Sequence, residues 1–352
     1  ERAKWTGVSL ETLRQQAHNA GIDDVAYLGK QCAGYQFTPF FSQDDVIHLL
    51  DRINATVAAR GLLYTLCPDA KRGYIEQRHL LAQLASFAPE LRWNDVSEIV
   101  ADLRRTKDMR ELEQLFKAIE ITAMAHEAAA HVIASNVYEY QVQAAIEYIF
   151  TEAGAQRPAY PSIVASGFNS TVLHYDANQR EMSSGDLVVV DIGAEYNYYC
   201  ADLTRTYPVS GMFTKRQREI YDIVLDTQAY VVDIAKPGMW LSNPNQQEQS
   251  LHHRALAFLQ ERGYAQYLPH NIGHFLGLDV HDVGDRMIPL RKGDVFTIEP
   301  GIYIPDEQLG VRIEDNYMMG GDAVVCLSAD LPSDGDTIQE WIRNRNEFES
   351  QS

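Results

Sequence analysis

The sequence predicts an α+β protein in which a small α/β domain, residues 1–104, precedes a larger domain, residues 105–352, built from two helix-plus-hairpin halves. Three observations predict it. At 352 residues with 45% hydrophobic residues, the chain is long enough for two buried cores. Apolar spacing switches repeatedly between helical and strand periods. Polarity rises at Arg104, Arg105, Thr106 and Lys107, just before a long amphipathic stretch, and marks the domain boundary.

Taken in order, Ser9 precedes a helical stretch through Leu10 and Leu13 that stops at Gly21, and Val25, Tyr27 and Leu28 then read as a strand. Beyond the boundary, Leu112, Leu115, Phe116, Ile119 and Ala123 fall on one face of a helix. A second helix is expected around Val142, Ile146 and Ile149, followed by strands at 162–167 and 187–191 and a hairpin through Glu195–Tyr199. The second set opens with Thr214 and Gln217 at capping-box spacing, before a helix through Ile220, Val224 and Val231 that Pro237 and Gly238 end. A helix near 251–259 and strands around 295–304 and 310–318 complete it.

The net charge of −19 argues against nucleic acid as a partner, since phosphate binding needs clustered Lys and Arg. No apolar run is long enough to cross a bilayer, and no basic stretch leading into an apolar one marks a secretory leader after Glu1. Cys32, Cys67, Cys200 and Cys326 lack CxxC spacing and read as free thiols of a cytoplasmic protein.

Chemistry concentrates in the larger domain. Asp191 closes the apolar run Leu187–Val190, where a buried strand would otherwise continue, and Asp202 follows eleven residues later, so a hairpin brings both to one face. Alone, the pair reads equally well as a strand-end and a turn aspartate. His270, His274 and His281 crowd into twelve residues among glycines that permit close approach to a ligand, although a single histidine there would read as core. Glu299 and Glu314 sit in strand-like contexts that disfavour glutamate. Arg312 and Glu314 share one face of their strand, which also fits an ordinary surface ion pair.

Four carboxylates gathered in one site repel one another unless cations neutralise them. Asp191, Asp202, His274, Glu299 and Glu314 offer mostly oxygen with one imidazole. That set suits two Mn²⁺, Co²⁺ or Zn²⁺ ions about 3.5 Å apart, with a bridging water made into hydroxide for attack on a polarised carbonyl.

These stretches together resemble the pita-bread metallopeptidases, and among them the Xaa-Pro aminopeptidase and prolidase branch. The resemblance runs from about residue 107 to 325 and rests on Asp191–Tyr196 with Ala201–Thr206, Gly273–Asp282, Ile298–Gly301 and Gly310–Asp315. It implies a pita-bread catalytic domain and two divalent ions, manganese foremost, held by the five residues above, with Asp202 and Glu314 bridging. It further implies Glu299 as general base, His174 and His281 on the substrate side, Arg312 steadying the ligands, and His270 and Tyr303 behind them. The implied substrate is a peptide with proline in second position, cleaved from its amino end by a homodimer. Proline fits physically, because the Xaa-Pro bond has no amide hydrogen and its rigid ring suits a histidine-walled pocket.

Two departures stand out. Asn271 replaces a glycine more usual in the family, and the segment 282–290 is short, leaving Arg286 or Arg291 to hold the carboxylate of a dipeptide. The readings that compete are a prolidase restricted to dipeptides, a non-catalytic peptide-binding module, a creatinase-like amidinohydrolase and a methionine aminopeptidase. The intact ligand set argues against the second and third, and the extra domain against the last.

Overall fold

A computed structural model describes residues 62–66, 75–87, 89 and 92–343, with residues 15, 18, 47 and 51. Of the helix and strand expected over residues 9–28, Gln15 and His18 are described and are helical; the rest, with Cys32 and Cys67, lies outside the described residues. The chain divides into two compact units, Glu1–Val100 and Ala101–Ser352.

In the first unit, β1 (Leu62–Thr65) and β2 (Arg92–Asp95) pair in parallel, Leu62 opposite Arg92, with α1 (Ile75–Phe87) between them in sequence. A parallel pair needs such a crossover, and α1 buries Leu81 and Leu84. Helix α2 (Ser97–Arg105) follows, and the division between the units falls within it.

In the second unit, α3 (Met109–Val132) starts at a capping box: Asp108 accepts from the backbone of Arg110 and Glu111, and the Glu111 carboxylate accepts from the Asp108 N–H. Its buried stripe runs through Leu112, Leu115, Ala118, Ile119, Thr122, Ala125 and Ala129. Phe116, expected on that face, is 45% exposed. The stripe follows steps of three and four through small residues, and their slimness lets α3 lie close to the sheet with Phe116 turned out.

Helix α4 (Glu139–Glu152) buries Val142, Ile146 and Phe150. After the short β3 (Arg157–Pro158), the antiparallel sheet β4–β5–β8 joins Ile163–Ser166, Leu187–Ile192 and Leu203–Pro208. Between β5 and β8 the chain makes the hairpin β6 (Ala194–Tyr196) and β7 (Tyr199–Cys200), Glu195 opposite Cys200.

The second half repeats this plan. Helix α5 (Lys215–Ile234) has the Thr214–Gln217 capping box expected from the sequence and stops before Pro237. Helix α6 (Leu251–Glu261) comes next. The strands expected as continuous over 295–304 and 310–318 are each broken: β9 (Val295–Ile298) bends into β10 (Gly301–Ile304), and β11 (Leu309–Arg312) bends into β12 (Asp315–Met319). Strands β9 and β12 pair, with β13 (Val324–Cys326) beyond β12, while β10 and β11 form the inner hairpin. Helix α7 (Gly335–Arg343) ends the described chain.

One core joins the halves. Ile121 and Ala125 of α3, Val188 and Val190 of β5, Ile220 and Val224 of α5, and Ile302 and Val311 of β10 and β11 pack into a single apolar cluster. Among the described residues, no helix is long and apolar enough to cross a membrane.

Candidate active site

Each half bends its strand pair at the place where it carries carboxylates. Asp191 stands one residue before the β5 end and Asp202 between β7 and β8; Glu299 stands between β9 and β10 and Glu314 between β11 and β12. At Asp202, Glu299 and Glu314 the bend frees the side chain from the pleat and turns it across the sheet, whereas Asp191 stays paired in β5, opposite Ile163 and Thr204. Two glycines permit the close backbone approaches. A Cβ at Gly193 would lie 1.9 Å from the Ala201 carbonyl oxygen, and one at Gly273 would lie 2.0 Å from that of Thr297.

The bends bring the groups together. The Tyr160 hydroxyl lies 2.5 Å from Asp191 Oδ1 and 2.6 Å from Asp202 Oδ1. His274 Nε2 is 3.3 Å from Asp202 Oδ2 and 3.6 Å from Glu299 Oε1. Asp202, His274 and Glu314 each offer a ligand atom within 4.8 Å of the others'. Glu314 Oε2 accepts from the Thr204 hydroxyl at 2.7 Å, while its Oε1 is buried with no hydrogen-bond partner.

These features fit divalent cations. The single proton of Tyr160 serves only one of the two aspartates it touches, so the other carboxylate needs a positive partner. The buried Glu314 oxygen without a donor needs one too. His274 Nδ1 faces the Phe275 carbonyl oxygen at 3.1 Å, which requires a proton on Nδ1 and leaves Nε2, turned toward the carboxylates, as the lone-pair donor of the neutral ring.

Electrostatics agree with the crowding. Burial pushes Glu299 up to about 7, with the Asp202 and Asp191 charges adding and His274 opposing. Burial, then Asp202, Glu299 and Asp191, raises Glu314 well above the usual carboxylate range. Burial acts to lower His274, but its hydrogen bond to Asp202 and the charge of Glu299 outweigh this and hold it at about 9. In each case negative charges compete for too few positive ones.

Arg312 joins the halves around this centre. Its guanidinium donates to Asp191 Oδ2 at 2.6 Å, to the Tyr303 hydroxyl at 2.8 Å and to Thr204 Oγ1 at 3.3 Å. Its ion pair is therefore with Asp191 in the other half, so the surface pair with Glu314 does not form. Tyr303 in turn reaches His270 Nε2 at 2.9 Å, and His270 Nδ1 lies 3.6 Å from Glu299 Oε2. Burial and the Arg312 charge lower His270 to about 4.

The histidines expected on the substrate side act on the same cluster. The His281 ring centroid is 4.2 Å from that of His274, and His174 acts electrostatically on both His270 and His281. His281 sits on a loop fixed from below: the buried carboxylate of its neighbour Asp282 pairs with Lys107 at 3.0 Å and Arg104 at 2.5 Å. Arg291 is engaged with Asp102 at 2.7 Å and Asp294 at 3.8 Å, whereas Arg286 acts on His281 and His252.

Sequence reasoning missed Tyr160, Thr204 and the Asp282 clasp. Tyr160 lies in a short connection without a motif and carried no signal. Thr204 did carry one: it stands two residues after Asp202, so it shares that residue's side of the chain.

Comparison with known proteins follows the same geometry. The sequence matches metallopeptidase family M24 over residues 113–320. It is 35% identical to the Xaa-Pro aminopeptidase of Haemophilus influenzae over 71% of this chain and 63% of that protein. To the Xaa-Pro dipeptidase of Pyrococcus horikoshii it is 38% identical over 85% of this chain and 80% of that protein. The match to the Escherichia coli Xaa-Pro aminopeptidase, 38% identical, spans 64% of this chain and only 56% of that protein's length. Among solved structures, E. coli aminopeptidase P in complex with substrate superposes with a TM-score of 0.72 at 30% identity, covering 84% of this chain and 75% of that one. Proline aminopeptidase P II from Yersinia pestis gives 0.73 at 31% identity, over 83% and 75%. The pita-bread arrangement of two strand-and-bend halves is thus shared, and with a family match extending over more than half of its length this chain belongs to metallopeptidase family M24.

Proposed function

We propose that the protein is a metal-dependent exopeptidase that hydrolyses the Xaa-Pro bond at the amino end of peptides. The observation that carries this reading is the convergence of Asp202, His274 and Glu314 on one point, with Asp191 and Glu299 adjoining. Asp191, Asp202, His274, Glu299 and Glu314 would hold two divalent ions, manganese foremost and cobalt or zinc as alternatives. When bound, such ions offset the carboxylate repulsion, polarise a carbonyl and ease deprotonation of water.

The chain's own groups do the rest. Glu299, half-buried and held near 7, is poised to take a proton from the attacking water and return it to the proline nitrogen as the C–N bond breaks. His281, with its pKa lowered by burial and by His274, is a neutral donor toward the carbonyl oxygen as negative charge develops there. His174 acts from its exposed segment between the 3₁₀ turn and Glu181, and Arg312 holds Asp191 in place. The acidic site attracts the free amino group of the substrate, which favours removal of one residue from the amino end.

The whole protein's setting belongs to the same proposal: a domain of residues 1–104 before a catalytic domain of 105–352, a homodimer, in the cytoplasm, acting on peptides and on neither nucleic acid nor membrane. The net charge of −19 and the scattered cysteines support it.

A panel of peptides assayed with Mn²⁺, Co²⁺ and Zn²⁺ added separately tests the reading. Turnover of an Xaa-Pro-Xaa tripeptide, abolished by chelator, is expected. The second reading, a prolidase, is favoured by one observation, the position of Arg286 near His281 and His252, where a dipeptide carboxylate would need a cation. Activity confined to Xaa-Pro dipeptides would establish it instead. Cleavage of Met-initiated peptides lacking proline would overturn both, and a chain that binds none of the three metals would return the protein to a peptide-binding role.

A further inference from the structure

His174 stands on an unusual support. Between the 3₁₀ turn Gly167–Thr171 and Glu181 the chain forms neither helix nor strand, and the His174 side chain is exposed. Nothing of regular structure therefore fixes its ring. The buried Asn178 side chain ties the far end of the segment to Val164, Ser162 and Gln143, and one carboxylate, that of Glu139, which opens α4 and is fully buried, gathers both flanks of His174. Glu139 Oε1 accepts from the Ser166 backbone N–H at 2.8 Å, the Ser166 hydroxyl at 2.6 Å and Asn169 Nδ2 at 3.1 Å. Its Oε2 accepts from the Tyr175 hydroxyl at 2.8 Å and the Arg180 backbone N–H at 2.8 Å, and the Glu139 N–H donates to the Arg180 carbonyl at 3.0 Å. Every partner lies within residues 166–180, on both sides of His174, and one is its immediate neighbour.

We propose that Glu139 is a positioning residue for His174: one buried carboxylate gathers both flanks of an irregular loop and so fixes where the imidazole stands. The proposal deepens the functional reading above and rests on His174 facing substrate. The chemistry selects a carboxylate. Every group that faces its oxygens donates, and a carboxylate accepts without offering a hydrogen of its own. An amide of the same shape would turn an NH₂ against some of those donors. The start of a helix is also where negative charge is best tolerated in a buried setting. Glu139 touches neither His174 nor the proposed ligands, so its effect must pass through the loop.

A double-mutant cycle separates this from a plain stabilising role. Glu139→Gln, His174→Ala and the double variant are loaded with Mn²⁺ and assayed on an Xaa-Pro-Xaa tripeptide. Loss of hydrogen bonds to a charged group predicts that Glu139→Gln lowers kcat/KM by roughly ten- to a hundredfold. The double variant is expected to be no slower than His174→Ala alone. Independently, metal-free protein labelled with ¹⁵N-histidine should show the His174 resonance displaced or broadened by Glu139→Gln, with that of His126, buried on α3, unchanged. Costs that multiply in the double variant, or a His174 resonance unaffected by the substitution, overturn the proposal. Where Glu139→Gln does not fold, Tyr175→Phe removes one donor and leaves the carboxylate intact, and the same two readouts apply. If the parent protein turns over no Xaa-Pro peptide, or His174→Ala is silent, the functional reading fails and the resonance alone decides the positioning role.

Discussion

The two halves of the second unit share a plan of strand, bend, hairpin, bend and strand, but they hold their carboxylates by different means. In the first half Asp191 and Asp202 are short side chains joined through one hydroxyl, that of Tyr160. In the second half Glu299 and Glu314 are longer and less supported: Glu299 faces His270 and His274, and Glu314 has one oxygen without a partner. The missing support comes from across the pseudo-symmetry. Arg312 of the second half holds Asp191 of the first, while Thr204 of the first half holds Glu314 of the second. Arg205 of the first half, wholly buried, pairs with Asp315 at 2.7 Å and bonds the Glu314 carbonyl at 2.7 Å. Each half is thus completed by the other, and neither is a site alone.

The sharpest way to break this comparison is to remove one carboxylate from each half. Asp202→Asn and Glu299→Ala should each lower turnover by about a thousandfold or more and weaken metal binding, because each takes charge and a ligand from one mutually neutralised cluster. Steady-state kinetics with metal analysis checks it. If one half's variant kept activity, the cross-braced site would reduce to a single working half.

A second effect follows from the raised values of Glu299, about 7, and Glu314. Both folded values exceed those of the unfolded chain. The Glu299 contribution to the stability of the metal-free protein is therefore complete below about pH 4.5 and is lost as pH rises through about 7, and that of Glu314 changes in the same direction. Metal must displace the same protons, so affinity should rise by up to about tenfold per pH unit for each proton released. The shift in thermal midpoint on adding Mn²⁺ should accordingly grow from pH 5 to pH 8. Glu299→Gln should flatten that growth, and a shift independent of pH would show that protons and cation do not compete there.

Tyr160→Phe sharpens the first half's side. It removes the one hydroxyl shared by Asp191 and Asp202 while leaving ring and shape intact, and outer contacts of this kind are worth roughly ten- to a hundredfold in metal affinity or rate. Titration of the metal-free variant with Mn²⁺ measures it. An unchanged affinity would mean that Arg312, from across the fold, is sufficient to hold the first-half pair.

Much of this was legible in the sequence, for physical reasons that also explain the gaps. The five candidate ligands were visible because each is a charged residue in an apolar or glycine-bounded strand, a conflict that only a buried partner resolves. The capping boxes at Asp108 and Thr214 differ in the same way: the second stands out by its Thr-x-x-Gln spacing, whereas the first is hidden in a charged run. The bends at Glu299 and Glu314 were read as continuous strands, because period-two alternation runs through a bend unbroken. Tyr160 was invisible, since a tyrosine in a short connection acquires meaning only when two distant carboxylates arrive beside it.

Phe116 gives the smallest expected effect and tests the first half's helix. Its neighbour Leu115 is fully buried against Leu203 and Leu276, whereas Phe116 is 45% exposed. Leu115→Ala should cost about 2–5 kcal/mol, as cavities in packed cores do. Phe116→Ser should change stability by about 0.5 kcal/mol or less, the usual range for an exposed site. Paired urea denaturation curves at several protein concentrations check both. Should Phe116→Ser approach the cost of Leu115→Ala, and more so at high concentration, its exposed ring is covered in the working protein. A second copy of the chain would then be the cover, and α3, rather than the strand-and-bend hairpins, would carry the subunit contact.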